Sequence, residues 1–347
     1  MRPHLHISPP ESTATRSCLA DWLELKALAA QNEAGLPVAS TLGNSFDISS
    51  DPALAESGDD EELLGTEAEE RINAVLDELS YRHSLLGADY PFEVDFERGK
   101  LAFKTASLGA HKGAIAYLFC LLGCALREKQ ISGPGKWDTR LGDLFQTCAC
   151  LAAGGYLGGQ VSSFGFPRKD KSGFWDALKA TYKRFGSGEV LEDNRRAGIS
   201  RSLKDGGVDI IAWKDHPDTL PAKLYLLGQC ASGGYWKEKS VREFIEQLHH
   251  CFSTPPATHS IPALFIPFPL HHELEQAGND FQEELRARFW HEEARYGIIF
   301  DRFRVVNHAS QCLGAQRDIL GEVDGAGRFG ELADWVGEAV QAIRTAH

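Results

Sequence analysis

The chain has 347 residues, 43% hydrophobic and 24% charged, with 36 Lys+Arg against 49 Asp+Glu and a formal net charge of −13. That length is enough for two domains with their own cores, and the acidic balance excludes a protein that coats nucleic acid over a broad basic surface. A local basic groove or a bound metal would still hold phosphate on an acidic body.

The first 18 residues carry no apolar signal core. Residues 19–31 form a short amphipathic piece, and 49–66, with Asp59, Asp60, Glu61 and Glu62, reads as a solvated acidic linker. Thr66 is placed to cap a helix over 66–82, with Ile72, Val75, Leu76 and Leu79 as its apolar stripe. Residues 92–104 alternate about Arg98-Gly99, which predicts a hairpin. The apolar run 113–126 is shorter than the ~20 residues of a membrane span; it predicts a buried helix over 111–128. No membrane contact is expected, and the 8 cysteines, with no CxxC pair, read as free thiols of the cytoplasm.

Ser132-Gly133-Pro134-Gly135 is a strong break. It predicts a mainly helical N-terminal accessory region over 1–135 and an α/β domain over 136–347. The second part begins with a buried helix over 141–156, ended by Gly154, Gly155, Gly158 and Gly159, and a second helix over 174–185. Strands follow at 208–213 and 223–230, separated by Pro217 and Pro221. Then come a helix over 237–251, a strand over 263–268, a charged helix over 274–295, a strand over 297–301 and a closing helix over 329–346. Strands alternating with helices predict a mixed α/β sheet flanked by helices.

The segment that carries chemistry starts at Asp205-Gly206-Gly207-Val208-Asp209-Ile210-Ile211 and continues through Gly228-Gln229-Cys230-Ala231 to Trp236-Lys237-Glu238-Lys239. The two glycines give a tight entry into a strand. Asp209 then opens an otherwise apolar strand, where a carboxylate must be solvated, paired or metal-bound. Period-two alternation puts Tyr225, Leu227, Gln229 and Ala231 on one face of the next strand, so Asp209 and Gln229 are expected to meet at the strand ends. A carboxylate, an amide carbonyl and a backbone carbonyl together suit Mg²⁺, which activates water and steadies charge on phosphate.

This segment resembles the core of the PD-(D/E)XK nuclease superfamily, the restriction-endonuclease-like fold. In that family an aspartate on one strand is followed by a strand carrying Glu, Asp or Gln, one spacer and a lysine. Members similar to the methyl-directed restriction nucleases show Asp-Gly-Gly-Val/Ile-Asp-Ile-Ile and Gln-Cys-Lys patterns. The resemblance implies a restriction-endonuclease-like mixed sheet flanked by helices, with Mg²⁺ (or Mn²⁺) held by Asp209, Gln229 and the Cys230 carbonyl. It implies DNA as the substrate, and it extends to prokaryotic antiviral defence and restriction systems with a protein partner.

The departure from the pattern is Ala231 where the lysine belongs. Lys237 is the first replacement, then Lys239 and Lys223. The family also often carries an acidic residue on the helix before the strands; Asp143 and Gln146 stand there, and Glu189 and Glu192 lie nearer in sequence. Arg195, Arg196, Arg201 and Lys204 precede the site and would contact the DNA backbone, unless they only balance an acidic surface. Trp213, Tyr235 and Trp236 read as packing before base stacking.

The rival reading is a catalytically inactive nuclease-like scaffold that binds a protein partner. A zinc site on His249-His250 and His271-His272 with Cys251 lacks the spacing such sites use. The chain has no GxxxxGK[ST] phosphate loop and no GxSxG elbow.

Overall fold

The computed structural model describes residues 4–11, 13–30, 35–49, 58–133, 137–168, 170–192, 206–218, 220–273, 281–315 and 321–346. It is a mixed α/β structure that divides into two compact units. The first comprises Met1–Thr139, Phe268–Leu285 and Leu332–His347, and the second Arg140–Pro267 and Arg286–Glu331. The first boundary thus falls a few residues beyond the Gly-Pro-Gly break. Two later stretches join the N-terminal unit, which no single cut at 135 provides.

In the first unit, α1 (Arg16–Ala29) starts at Thr15, whose hydroxyl accepts from the Cys18 N–H. The long helix α2 (Gly58–Leu86) follows. It begins eight residues before Thr66. The expected acidic linker over 49–66 thus falls partly within this helix, and residues 50–57 lie outside the described ones. Strands β1 (Phe92–Asp95) and β2 (Lys100–Phe103) form the expected antiparallel hairpin, with Gly99 at positive φ. Helix α3 (Lys112–Arg127) is almost wholly buried.

Arg82 of α2 is fully buried. It donates to Glu78 (2.8 Å), Asp21 (2.6 Å), Glu24 (3.0 Å), the Tyr117 hydroxyl (3.2 Å) and both the carbonyl and hydroxyl of Ser17 (3.0 Å each). His271 Nε2 lies 3.0 Å from Glu78. Burial alone would raise the Glu78 carboxyl, but His271 and Arg82 hold it well below the usual carboxylate range.

The second unit opens with α4 (Leu141–Leu157), closed by Gly158 in the left-handed region. Gly154 and Gly155 lie inside this helix and do not end it. A Cβ on Gly155 would sit 1.9 Å from the His308 carbonyl oxygen, so these glycines admit a neighbouring helix backbone. Next come β3 (Gln160–Ser163), α5 (Phe174–Phe185), β4 (Ile210–Lys214) and β5 (Leu224–Cys230). They are followed by α6 (Arg242–His249), β6 (Ile261–Phe265), α7 (Phe281–Tyr296), β7 (Ile298–Phe300) and α8 (Arg302–Gly314). The sheet order is β7-β6-β5-β4-β3. Strands β3, β4 and β5 run antiparallel, while β5, β6 and β7 are parallel.

One sheet face carries Ile211, Trp213, Tyr225 and Leu227, which pack with Leu178, Tyr182 and Phe185 of α5. The closing helix α9 (Phe329–Arg344) buries Leu332, Trp335, Val336, Ala339, Val340 and Ile343. Its Trp335 ring lies 5.2 Å from Phe119 of the first unit, so most of this helix belongs there and not to the α/β domain. Among the described residues, no helix is long and apolar enough to cross a membrane.

Candidate active site

Gly206 and Gly207 both adopt positive φ, 62° and 76°, and a Cβ on Gly207 would collide with the Phe244 ring at 2.2 Å. Only glycine fits this entry to β4. Strands β4 and β5 pair with Ile210 opposite Gly228, and just before the strand the Asp209 N–H donates to the Gly228 carbonyl at 2.9 Å. Within β5, Gln229 follows Tyr225 and Leu227 on the face that packs against α5. Gln229 is 8% exposed, and its Oε1 has no hydrogen-bond partner among the described residues. A buried acceptor left unpaired costs about 1–3 kcal/mol, so this atom calls for a donor or a cation.

The backbone of Asp209 is held from three sides. Its carbonyl accepts from Phe164 N (2.7 Å), Gly165 N (2.9 Å) and Gln146 Nε2 (3.1 Å). Its carboxylate Oδ2 accepts from Cys230 N at 2.7 Å. Gln146 projects from α4, and its Nε2 also donates to the Ser163 hydroxyl at 2.8 Å. Asp209 Oδ1 and Gln146 Oε1 lie 2.7 and 2.6 Å from the point where a Cβ on Gly165 would sit. Two side-chain oxygens therefore converge over a glycine that leaves them room. Gly165 was not singled out in the sequence; its signal was a glycine two residues after a short polar strand.

Of the lysines, Lys239 brings its ammonium to 3.4 Å from the Cys230 carbonyl oxygen. It stands at the end of a short 3-10 turn, Trp236–Glu238, that precedes α6, instead of in a helix running from 237. Trp236 is buried, and the Tyr296 hydroxyl donates to the Lys237 carbonyl at 2.7 Å, which pins the turn. The Lys237 ammonium lies 5.7 Å from the centre of the Trp236 ring. Lys223 is buried at the other end of β5, paired with Asp215 and donating to the Phe185 carbonyl. Ala231 is fully buried. The Cys230 thiol is pushed well up, first by burial and then by the Asp209 carboxylate. It stays protonated at neutral pH, so this residue offers its carbonyl and not a thiolate.

Beside these residues lies an open cleft of about 360 Å³ lined by Gln146, Ser163 and Gly165 together with Arg168, Arg184 and Arg328. Arg328 holds Asp143 and Glu331, and Arg184 holds Asp324. Asp143 is thus engaged by arginine, and Gln146 is the helix residue at the site. Glu192 pairs with Lys179, and Glu189 lies near Thr254 on a separate two-stranded sheet. The three arginines come from distant parts of the chain, which no local cluster announces. Arg195, Arg196, Arg201 and Lys204 lie outside the described residues. Trp213 and Trp236 are packed, while Tyr235 is 76% exposed.

No family model, curated protein or solved structure matches this chain.

Proposed function

We propose that the second unit is a metal-dependent nuclease core that hydrolyses DNA phosphodiester bonds. The observation that carries this is the gathering of oxygens at the edge of an apolar sheet core: the Asp209 carboxylate, bonded to Cys230 N, converges with Gln146 Oε1 over Gly165, and Gln229, next to Cys230 in the chain, has a buried Oε1 with no hydrogen-bond partner among the described residues. The residues fit a hard divalent cation: a carboxylate, an amide oxygen and a backbone carbonyl, all oxygen donors. Asp209, Gln229 and the Cys230 carbonyl would hold Mg²⁺ (or Mn²⁺), with Gln146 Oε1 close by. When bound, the ion supplies Lewis-acid activation of water and neutralises charge on the scissile phosphate.

The chain itself supplies the rest. Cys230 N–H orients the Asp209 carboxylate through a 2.7 Å hydrogen bond. Gln146 and the Phe164 and Gly165 amides fix its backbone. Lys239 takes the role that Ala231 vacates, because its ammonium reaches the Cys230 carbonyl; there it would steady negative charge on phosphate. The cleft is lined by Arg168, Arg184 and Arg328 with Asp143, Asp170 and Asp324, and its arginines would contact the nucleic-acid backbone. The resemblance of 205–230 to restriction nucleases extends the proposal to prokaryotic antiviral defence. The buried Ala231 favours the second reading, a nuclease-like scaffold without catalysis that binds a protein partner.

The test is Mg²⁺-dependent cleavage of a supercoiled plasmid by the purified chain, beside Asp209→Ala. Cleavage that Asp209→Ala abolishes supports the nuclease. A folded wild type that leaves the plasmid intact with Mg²⁺ and with Mn²⁺ favours the scaffold.

A further inference from the structure

A second cluster of metal-ligating side chains stands in the first unit, built from three distant segments. Cys18 comes from the first turn of α1, Glu128 caps the C-terminus of α3, and His272 lies in the turn after Leu270. His272 Nε2 is 3.0 Å from Glu128 Oε1 and 3.4 Å from Cys18 Sγ, and the three donor atoms lie within 4.8 Å of one another. A tetrahedral zinc ion with bonds of about 2.0–2.3 Å needs ligand-to-ligand edges of about 3.4–3.6 Å. The two edges to His272 are within a few tenths of an ångström of that, and the Cys18–Glu128 edge lies within 4.8 Å.

We infer that Cys18, His272 and Glu128 form a zinc site in the first unit, its fourth position open to water.

Three further observations support it. The other ring nitrogen of His272, Nδ1, is 3.3 Å from the Ser17 hydroxyl, and Ser17 is itself held by Arg82. A ligating histidine characteristically has such a partner, which fixes its tautomer and ring orientation. Thr15 donates to the His272 carbonyl at 2.8 Å and anchors the turn. The buried imidazole faces a carboxylate that is 35% exposed, which gives an ion a way in from solvent. The donor set is decisive about the metal: thiolate and imidazole select a borderline-soft ion, not Mg²⁺. Binding releases the Cys18 thiol proton to solvent as the Zn–S bond forms. The ion would tie together three segments separated by more than a hundred residues in sequence, and so stabilise the fold of this unit.

The experiment uses the full chain, freed of metal and titrated with Co²⁺ as a spectroscopic stand-in for Zn²⁺. The expected result is one equivalent bound with a thiolate-to-cobalt charge-transfer band, displaced by Zn²⁺ and absent in Cys18→Ser. Ser17→Ala should keep the band and weaken binding about 10–100-fold. Its fold should persist, because the Ser17 carbonyl still accepts from Arg82. Two results would overturn the proposal: no charge-transfer band in the wild type, or an equal band in Cys18→Ser, which would put the cobalt on other cysteines of the 8. The readout needs no DNA cleavage, so it stands or falls apart from the nuclease proposal.

Discussion

At the scale of single residues, the second unit places a small number of oxygens with care. Gly165 is the clearest case, since a methyl there would meet Asp209 Oδ1 and both side-chain polar atoms of Gln146 within 2.8 Å. Gly165→Ala should leave the circular dichroism spectrum unchanged and lower the cleavage rate about 10²-fold, the cost of displacing reacting groups by about 1 Å. A Gly165→Ala variant at the wild-type rate would remove Gln146 and Asp209 Oδ1 from the reacting geometry. Asp209 and Gln229 were singled out in the sequence because polar residues closing apolar strands stand out against the alternation. Gln146 was among several alternatives there. What selects it is the long-range hydrogen bond to the Asp209 carbonyl, which no spacing rule reveals. The turn Trp236–Glu238 had the same effect on the lysines: the sequence put Lys237 first, and only the turn's geometry brings Lys239 to the Cys230 carbonyl. The zinc cluster was invisible for a different reason, because ligands at 18, 128 and 272 leave no spacing signature.

At the scale of elements, the strong periodic segments were readable and the boundaries less so. The hairpin, the helix over Phe174–Phe185 and strands β4 and β5 stand within a residue or two of their expected places. Helix α8 was missed, although Asp301 caps it and Phe303, Val306, Ala309 and Leu313 form a buried stripe. The glycines of α4 were read as a stop, yet they are a contact surface. A Cβ at Gly155 would come 1.9 Å from the His308 oxygen, so α4 and α8 pass with backbones touching. Gly155→Ala should therefore destabilise the chain by about 1–3 kcal/mol, the usual cost of overpacking, read as a lower urea midpoint. An unchanged midpoint would show that the two helices do not pack so tightly.

At the scale of the whole molecule, the chain is two units with different internal chemistry, and each has its own sensitivity. The first depends on the buried guanidinium of Arg82 and the carboxylates of Asp21, Glu24 and Glu78 around it. Removing one side of such a group leaves buried charge uncompensated, so Arg82→Met should cost about 3–5 kcal/mol in chemical denaturation. A small effect would mean that the network is not charged as drawn. The same network sets an acid limit. Glu78 faces Arg82 of its own helix, Arg16 of α1 and His271, and its folded pKa lies below the unfolded carboxylate value. A depressed carboxylate contributes stability that is fully present above its unfolded pKa, about 4.3, and is lost as pH falls below it. Thermal midpoints should drop below about pH 4.3, and a flat profile there would contradict the assignment. That the closing helix joins the first unit was not readable in the sequence, because its apolar stripe says which face is buried and not against what.

The measurement that tests the catalytic constellation most directly is the plasmid-cleavage rate of Lys239→Ala and Lys237→Ala, side by side with wild type and Asp209→Ala. The account predicts that Asp209→Ala abolishes cleavage, that Lys239→Ala lowers it by about 10²-fold or more, as for loss of a charge-stabilising donor, and that Lys237→Ala cuts near the wild-type rate. Full activity in Lys239→Ala with loss in Lys237→Ala would move the lysine to the other side of the turn. Full activity in Asp209→Ala would contradict the site itself.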